Sequence, residues 1–266
     1  MNILVCIKQV PDTTQIKIDP VTNTLVRAGV PSIVNPFDAY ALEMAAQIKD
    51  KTPGTRIVAL SMGPEQAKAA LKECLAVGAD EAYLVSGREF GGSDTLATSY
   101  ILSSVIRQLE KKTGSFDVIF CGKQAIDGDT AQVGPEIAEH LGLPQVTYAV
   151  EAAMENGAFH VKKETETGYE ILEVAMPCVV TVTKPAFEPR YPTVLAKLAS
   201  SRRDIPVIAA ADVDIDLTRC GLKGSPTKVK KSFTPPRKEG GIMLQQEDLA
   251  QAGKALCALL SDAKII

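Results

Sequence analysis

The chain has 266 residues, 45% of them hydrophobic and 23% charged, and a formal net charge of −3. A chain of this length can bury a sizeable core and has the composition of a globular protein in water, while the slight negative charge offers no grip to nucleic acid or a membrane surface. The apolar opening is only a few residues long and no run of about 18 apolar residues follows, so no signal peptide or membrane span is expected, and the cytoplasm is the expected compartment.

Residues 3–8 read as a buried strand, and residues 16–18 and 25–27 flank a turn-forming Asp-Pro-Val-Thr-Asn and predict a small hairpin. Asn35-Pro36 opens a helix, with Asn35 at the N-cap, Pro36 at the first helical position and Asp38 in the first turn. Phe37, Ala41, Met44, Ala45 and Ile48 share one face of it. A strand at 56–61, a helix from about 64 to 77 closed by Gly78, and a strand at 81–85 follow. Gly91-Gly92-Ser93-Asp94-Thr95 then introduces a helix running to about Lys112 and closed by Gly114, and the next strand ends at Cys121. Four strands alternating with helices predict a parallel, doubly wound sheet of the α/β class. Ligands of such sheets lie beyond the strand C-terminal ends, where the loops after residues 5–8, 59–62 and 120–123 should gather.

Residues 121–135, CGKQAIDGDTAQVGP, carry the richest chemistry. An apolar strand, a loop of small residues and a helical pattern at 136–141 are the parts of a nucleotide cradle, with N–H groups and the helix dipole facing an anion. Asp127 and Asp129 would not sit comfortably against a phosphate. They either cap the helix or accept hydrogen bonds from ribose hydroxyls. An ordinary strand–loop–helix connection with an Asp cap would have much the same composition.

Residues 146–154, 159–164, 170–175 and 178–183 are β-like, joined by the turn signals Asn156-Gly157 and Thr167-Gly168, and read as hairpins attached to the sheet. A short helical pattern at 195–201, an extended stretch at 205–211, a polar arm at 224–237 and a final helix at about 247–260 complete the chain. So polar an arm cannot fold alone; it either lies on another subunit or forms a loose surface tail. The six cysteines are far apart with no CxxC pair, and only His140 and His160 are present. No metal site is expected, and no GxSxG, GxxxxGK[ST] or GxGxxG motif occurs. No side chain stands out as a catalytic acid, base or nucleophile.

The opening ILVCIKQV, Asn35-Pro36-Phe37-Asp38, Met62-Gly63-Pro64, Gly78-Ala79-Asp80, the 122–135 loop, Glu188-Pro189-Arg190-Tyr191, and SPT at 225–227 with SFTP at 232–235 together resemble the β subunit of electron transfer flavoprotein, almost end to end. The resemblance implies a Rossmann-like, mostly parallel sheet at residues 1–190, with attached hairpins. It also implies a partner-recognition loop at 191–203, and an extended C-terminal arm and helix at 204–266 that pack on an α subunit. It further implies an adenine nucleotide held by Cys6, Asn35, Pro36, Phe37, Asp38, Met62, Gly122, Lys123, Gln124, Ala125, Ile126, Asp127, Gly128, Asp129, Thr130, Ala131, Gln132 and Val133.

Family members hold either a structural AMP or a whole second FAD here. The segment FGGSDTLATS at 90–99 resembles the electron-bifurcating, FAD-holding members of anaerobes. A pyrophosphate needs donors beyond an adenosine pocket. The helix start at Ser93–Thr95 would supply them, Asp94 and Thr95 belonging to that segment and Thr98 sharing a face with Thr95. An ordinary capped helix is the plain alternative. The resemblance thus implies hydride exchange between NAD(H) and this FAD. One electron then goes to ferredoxin and one, through the α-subunit FAD, to a partner dehydrogenase of the acyl-CoA or lactate type. With no Trp and 5% aromatic residues, little in the chain can stack on a flavin ring, which directs that ring towards the α subunit. For docking, the resemblance implies an apolar anchor from the loop, with Val194, Leu195 and Leu198 as candidates; an inward-facing amphipathic turn would look alike. A stand-alone ATP-pyrophosphatase-like enzyme of the same broad fold, which Gly91-Gly92-Ser93-Asp94 faintly resembles, would carry its phosphate loop after the first strand, where none occurs.

Overall fold

The computed structural model describes residues 1–12, 31–230, 240–241, 243–244 and 248–266, and the chain divides into two units, Met1–Lys230 and Lys231–Ile266. In the first unit the elements run β1 (Asn2–Cys6), β2 (Gln9–Pro11), β3 (Ser32–Val34), α1 (Pro36–Lys51), β4 (Arg56–Met62), α2 (Lys68–Val77), β5 (Glu81–Val85), α3 (Thr95–Thr113), β6 (Val118–Gly122) and α4 (Val133–Leu141). They continue with β7 (Gln145–Glu155), β8 (Ala158–Glu164), β9 (Tyr169–Val174), β10 (Cys178–Val182), α5 (Val194–Ser201), β11 (Val207–Ile208) and α6 (Gly221–Gly224). The second unit holds α7 (Leu249–Asp262), capped by Asp248 and burying none of its own residues. The hairpin expected at 16–18 and 25–27 lies outside the described residues, as does SFTP at 232–235.

Nine strands form one sheet in the order β11-β5-β4-β1-β6-β10-β7-β8-β9, parallel from β11 to β7 and antiparallel across β7-β8-β9. Neighbouring residues of a strand face opposite sides, and both sides are covered. Ile3 and Val5 of β1 pack under α1 and α2, while Leu4 and Cys6 pack under α3 and α4. That is why the strands read as continuous apolar runs rather than alternating ones. Five of the six cysteines are buried in these layers.

Two readings need correcting. Residues 178–182 do not form a hairpin strand: β10 inserts between β6 and β7, parallel to both, and is wholly buried. Its apolar run is that of a central strand, for which a parallel partner on each side satisfies every backbone group. Helix α4 also begins earlier than its apolar spacing suggested, at Val133, so that Gly134 and Pro135 lie in its first turn. Gly134 is required there. A Cβ on it would stand 2.6 Å from Thr181 Cγ2, so only glycine lets α4 lie this close to β10. Among the described residues no helix is long and apolar enough to cross a membrane.

Candidate functional site

The chain progresses from β1 outward to β4 and β5, then returns through α3 to place β6 on the other side of β1. The reversal leaves a crevice beyond the C-terminal ends of β1 and β6, the position where open α/β sheets take ligands. The start of α1 lies against those strand ends. Asp38, buried in its first turn, accepts Lys8 N–H at 2.7 Å on Oδ2 and Gly122 N–H at 3.1 Å on Oδ1. One carboxylate thereby ties the loop after β1 to the end of β6. Burial pushes this carboxyl up to about 7, against the opposing pull of Asn35, the two N–H groups and the Lys8 charge. Gly122 must be glycine, since a Cβ would land against Asp38 Oδ1 and within 2.7 Å of the Phe37 carbonyl carbon.

Asn35 stands at the N-cap, but its side chain does not cap α1. Its amide donates to Gln124 O at 2.8 Å and Asp38 Oδ1 at 3.0 Å, and accepts Ile126 N–H at 3.2 Å. Both amide hydrogens and one lone pair of this 1%-exposed side chain are thus engaged, two of the three bonds fixing the loop after β6 against α1. Neither Asp127 nor Asp129 caps α4, whose N-cap is Gln132. Asp127 instead takes Lys8 Nζ at 2.6 Å, and Asp129 accepts Gln124 Nε2 at 2.8 Å. Of the two roles considered for these carboxylates, capping is excluded. Asp129 and Ala131 have positive φ, the conformation that lifts 128–132 into an exposed rim, and Gly128 and Thr130 lie on that rim.

Cys6 and Cys121 end adjacent strands in side-chain contact; the hydrogen bond to Cys6 and burial hold the Cys121 thiol well above its usual range. Both are buried. Lys123 lies over the Tyr148 ring, 5.1 Å from its centre. Met62 ends β4, one strand along from β1, and is half-buried against the α3 side of the sheet.

The 94–98 segment meets the same loop from the other side. Thr95 Oγ1 lies 3.1 Å from Gln132 Oε1 and 3.2 Å from Glu136 Oε1, which brings the N-termini of α3 and α4 together. Asp94 caps α3 through Ala97 N–H at 3.0 Å and holds Thr227 by its N–H and hydroxyl. Burial alone would raise Asp94, but these donors and Ser225 hold it below the usual carboxylate range. Thr98 is half-buried one turn on. Glu136 Oε2 is buried and has no donor among the described residues. Sequence reasoning missed three contributors: Lys8 as the partner of Asp127, Glu136, and Ser225 with Thr227 as the brace of Asp94. The only signal for the last was a Ser-Pro-Thr string distant in sequence.

Val194, Leu195 and Leu198 are 77%, 79% and 53% exposed on α5. The inward-facing alternative for this turn is therefore excluded.

Comparison with known proteins adds a family. The sequence model of the electron transfer flavoprotein domain matches residues 22–213. The electron transfer flavoprotein subunit beta of Megasphaera elsdenii is 54% identical over 250 residues, covering 93% of each chain. The caffeyl-CoA reductase-Etf complex subunit CarD of Acetobacterium woodii is 47% identical over the full length of both. The acryloyl-CoA reductase electron transfer subunit gamma of Anaerotignum propionicum is 47% identical over 254 residues, 93% of this chain and 94% of the relative.

Proposed function

The chain belongs to the electron transfer flavoprotein family, as a β subunit working in electron transfer with an α subunit and redox partner enzymes, and we propose that its crevice holds an FAD of its own. The observation that carries this reading is the 3.1 Å contact between Thr95 and Gln132, which sets the donors of two helix starts beside the adenosine cradle. Asn35, Asp38 and Gly122 would hold the cradle's shape. Asp129 on the rim suits a ribose hydroxyl, and the N–H groups of Thr130, Ala131 and Gln132, which donate to no backbone carbonyl among the described residues, suit a pyrophosphate. Glu136 Oε2, buried with no donor among the described residues, suits a hydroxyl of a longer chain than AMP possesses. The residues present therefore fit the group.

FAD bound here would supply two-electron exchange with NAD(H) and one-electron transfer towards ferredoxin and the α-subunit FAD. The chain's own part is to bind and orient the cofactor. The partner that receives electrons through the α subunit is, on this reading, a flavin dehydrogenase of the acyl-CoA class. Two relatives are named for CoA-thioester reductases, which supports that class over the lactate type. Val194, Leu195 and Leu198 on α5 are proposed as its docking anchors. Mass spectrometry of cofactors released from the co-purified α/β pair tests the reading. Two FAD per heterodimer are expected, and one FAD with one AMP would overturn it in favour of the non-bifurcating carrier.

A further inference from the structure

Helix α5 has eight residues, too few to be stable alone in water. It buries only Ser200 and half-buries Ala196, so it meets the chain through small side chains while its three large apolar ones face outward. Beneath it, among the described residues, lies a cavity of about 470 Å³ bounded by α1, α2, Pro189, Arg190 and the Lys197 and Ser200 side of α5. Its small side chains rest against α2, and its two ends complete the fastening. At the C-terminal end Lys72 Nζ donates to Ser201 O at 2.8 Å and Arg203 donates to Asp80 O at 3.1 Å.

At the N-terminal end the fastening is Arg190. Its Nε donates to Glu43 Oε2 at 2.8 Å, a terminal nitrogen donates to Glu43 Oε1 at 3.1 Å and to Asp50 Oδ2 at 2.8 Å, and its backbone N–H donates to Glu43 Oε2 at 3.0 Å. Glu43 and Asp50 both lie on α1, and Glu43 is buried. Tyr40 OH reinforces the attachment at Glu188, 3.2 Å away. Between the guanidinium and the first helical residue stand only Tyr191, Pro192 with its fixed φ, and the cap Thr193. A planar fork held by two carboxylates sets direction as well as distance, which a lysine cannot do. The cluster is only partly buried, the Arg190 side chain 35% and that of Asp50 60% exposed, so it adds little to stability and what it contributes is geometry.

We infer that Arg190, clamped by Glu43 and Asp50, is the positioning residue of the docking helix, fixing the direction in which Val194, Leu195 and Leu198 present themselves to the partner flavoenzyme. The inference rests on the docking reading of α5, and its test separates the two. The co-purified α/β pair is made as R190L/E43L, as R190K and as V194A/L195A. Each is assayed for flavin content, thermal midpoint, deuterium exchange of the 193–201 amides, and electron transfer to a purified short-chain acyl-CoA dehydrogenase. R190L/E43L should keep its flavin and midpoint, exchange the α5 amides about tenfold faster, and raise KM for the dehydrogenase about tenfold with kcat nearly unchanged. Wild-type exchange and KM in that variant overturn the clamp. Should it fail to fold, R190K decides: it keeps the charge but loses the fork, and wild-type exchange and KM there overturn the clamp equally. An unchanged KM in V194A/L195A sinks the docking reading, and the exchange data then judge the clamp alone.

Discussion

Replacing Asp38 by Asn changes one atom in the middle of the crevice. The wild-type carboxylate receives three donors on two oxygens: Lys8 N–H on Oδ2, and Gly122 N–H with the Asn35 amide on Oδ1. An asparagine has one carbonyl oxygen. Turned towards Gly122 and Asn35, it keeps two of the three donors and points its NH₂ at Lys8 N–H; turned the other way, it strands two. Against the ionised form, which prevails at pH 8, one buried donor is left unsatisfied at about 1–3 kcal/mol, two remaining bonds lose charge assistance, and relief of the carboxylate's desolvation offsets part of this. The net is about 2 kcal/mol, or roughly 4–8 °C in melting temperature for a domain of this size. The pH dependence has a definite sign. Burial raises Asp38 to about 7 in the fold, so the native state holds its proton more tightly than the unfolded chain. Its contribution is fully present below the unfolded value near 3.8 and is lost as pH rises through about 7. Wild type should therefore lose stability between pH 6 and 8 while D38N does not, and the gap between them should be wider at pH 6. Melting curves of the co-purified pair at both pH values, followed by circular dichroism, read this out. Equal melting temperatures at pH 6, or parallel slopes for the two proteins, would refute the reasoning.

Asn35→Ala frees Gln124 O and Ile126 N–H together, and should weaken nucleotide retention on gel filtration by about 2 kcal/mol, a factor of some thirty in affinity. Gly134→Ala should cost about 1–3 kcal/mol because its Cβ meets Thr181 Cγ2, and Thr181→Ser, which deletes that methyl, should restore most of the loss in chemical denaturation. Thr95→Val removes the hydroxyl between Gln132 and Glu136 and should lower flavin occupancy, counted by absorbance against protein, with little change in helix content. Asp94→Ala strips the α3 cap and the Thr227 brace together, and should destabilise by at least ~1 kcal/mol in a melt that Thr227→Val alone only partly reproduces.

The alternation of strands and helices up to Gly122, the helix start after Gly91-Gly92-Ser93-Asp94, its close at Gly114, and the strand–loop–helix at 121–135 were legible in the sequence. Each is a local event, set by hydrophobic period, glycine geometry or a capping oxygen within a few residues. The family followed from motifs strung in a fixed order. Tertiary structure decided what depends on partners distant in the chain. A wholly apolar run such as CVVTV at 178–182 has the same period whether it closes a hairpin or inserts into a parallel sheet, and only the vacancy between β6 and β7 selects the second. Asn35 reads as a cap because caps are local, yet its amide serves residues 89 and 91 positions away, a choice made when α1 docks beside β6. Asp127 and Asp129 likewise look like caps until Lys8 and Gln124 claim them. Helical spacing at 195–201 marks an apolar face but not which way it turns. That direction is set by small residues against α2 and an arginine held from α1, and no local pattern carries either fact.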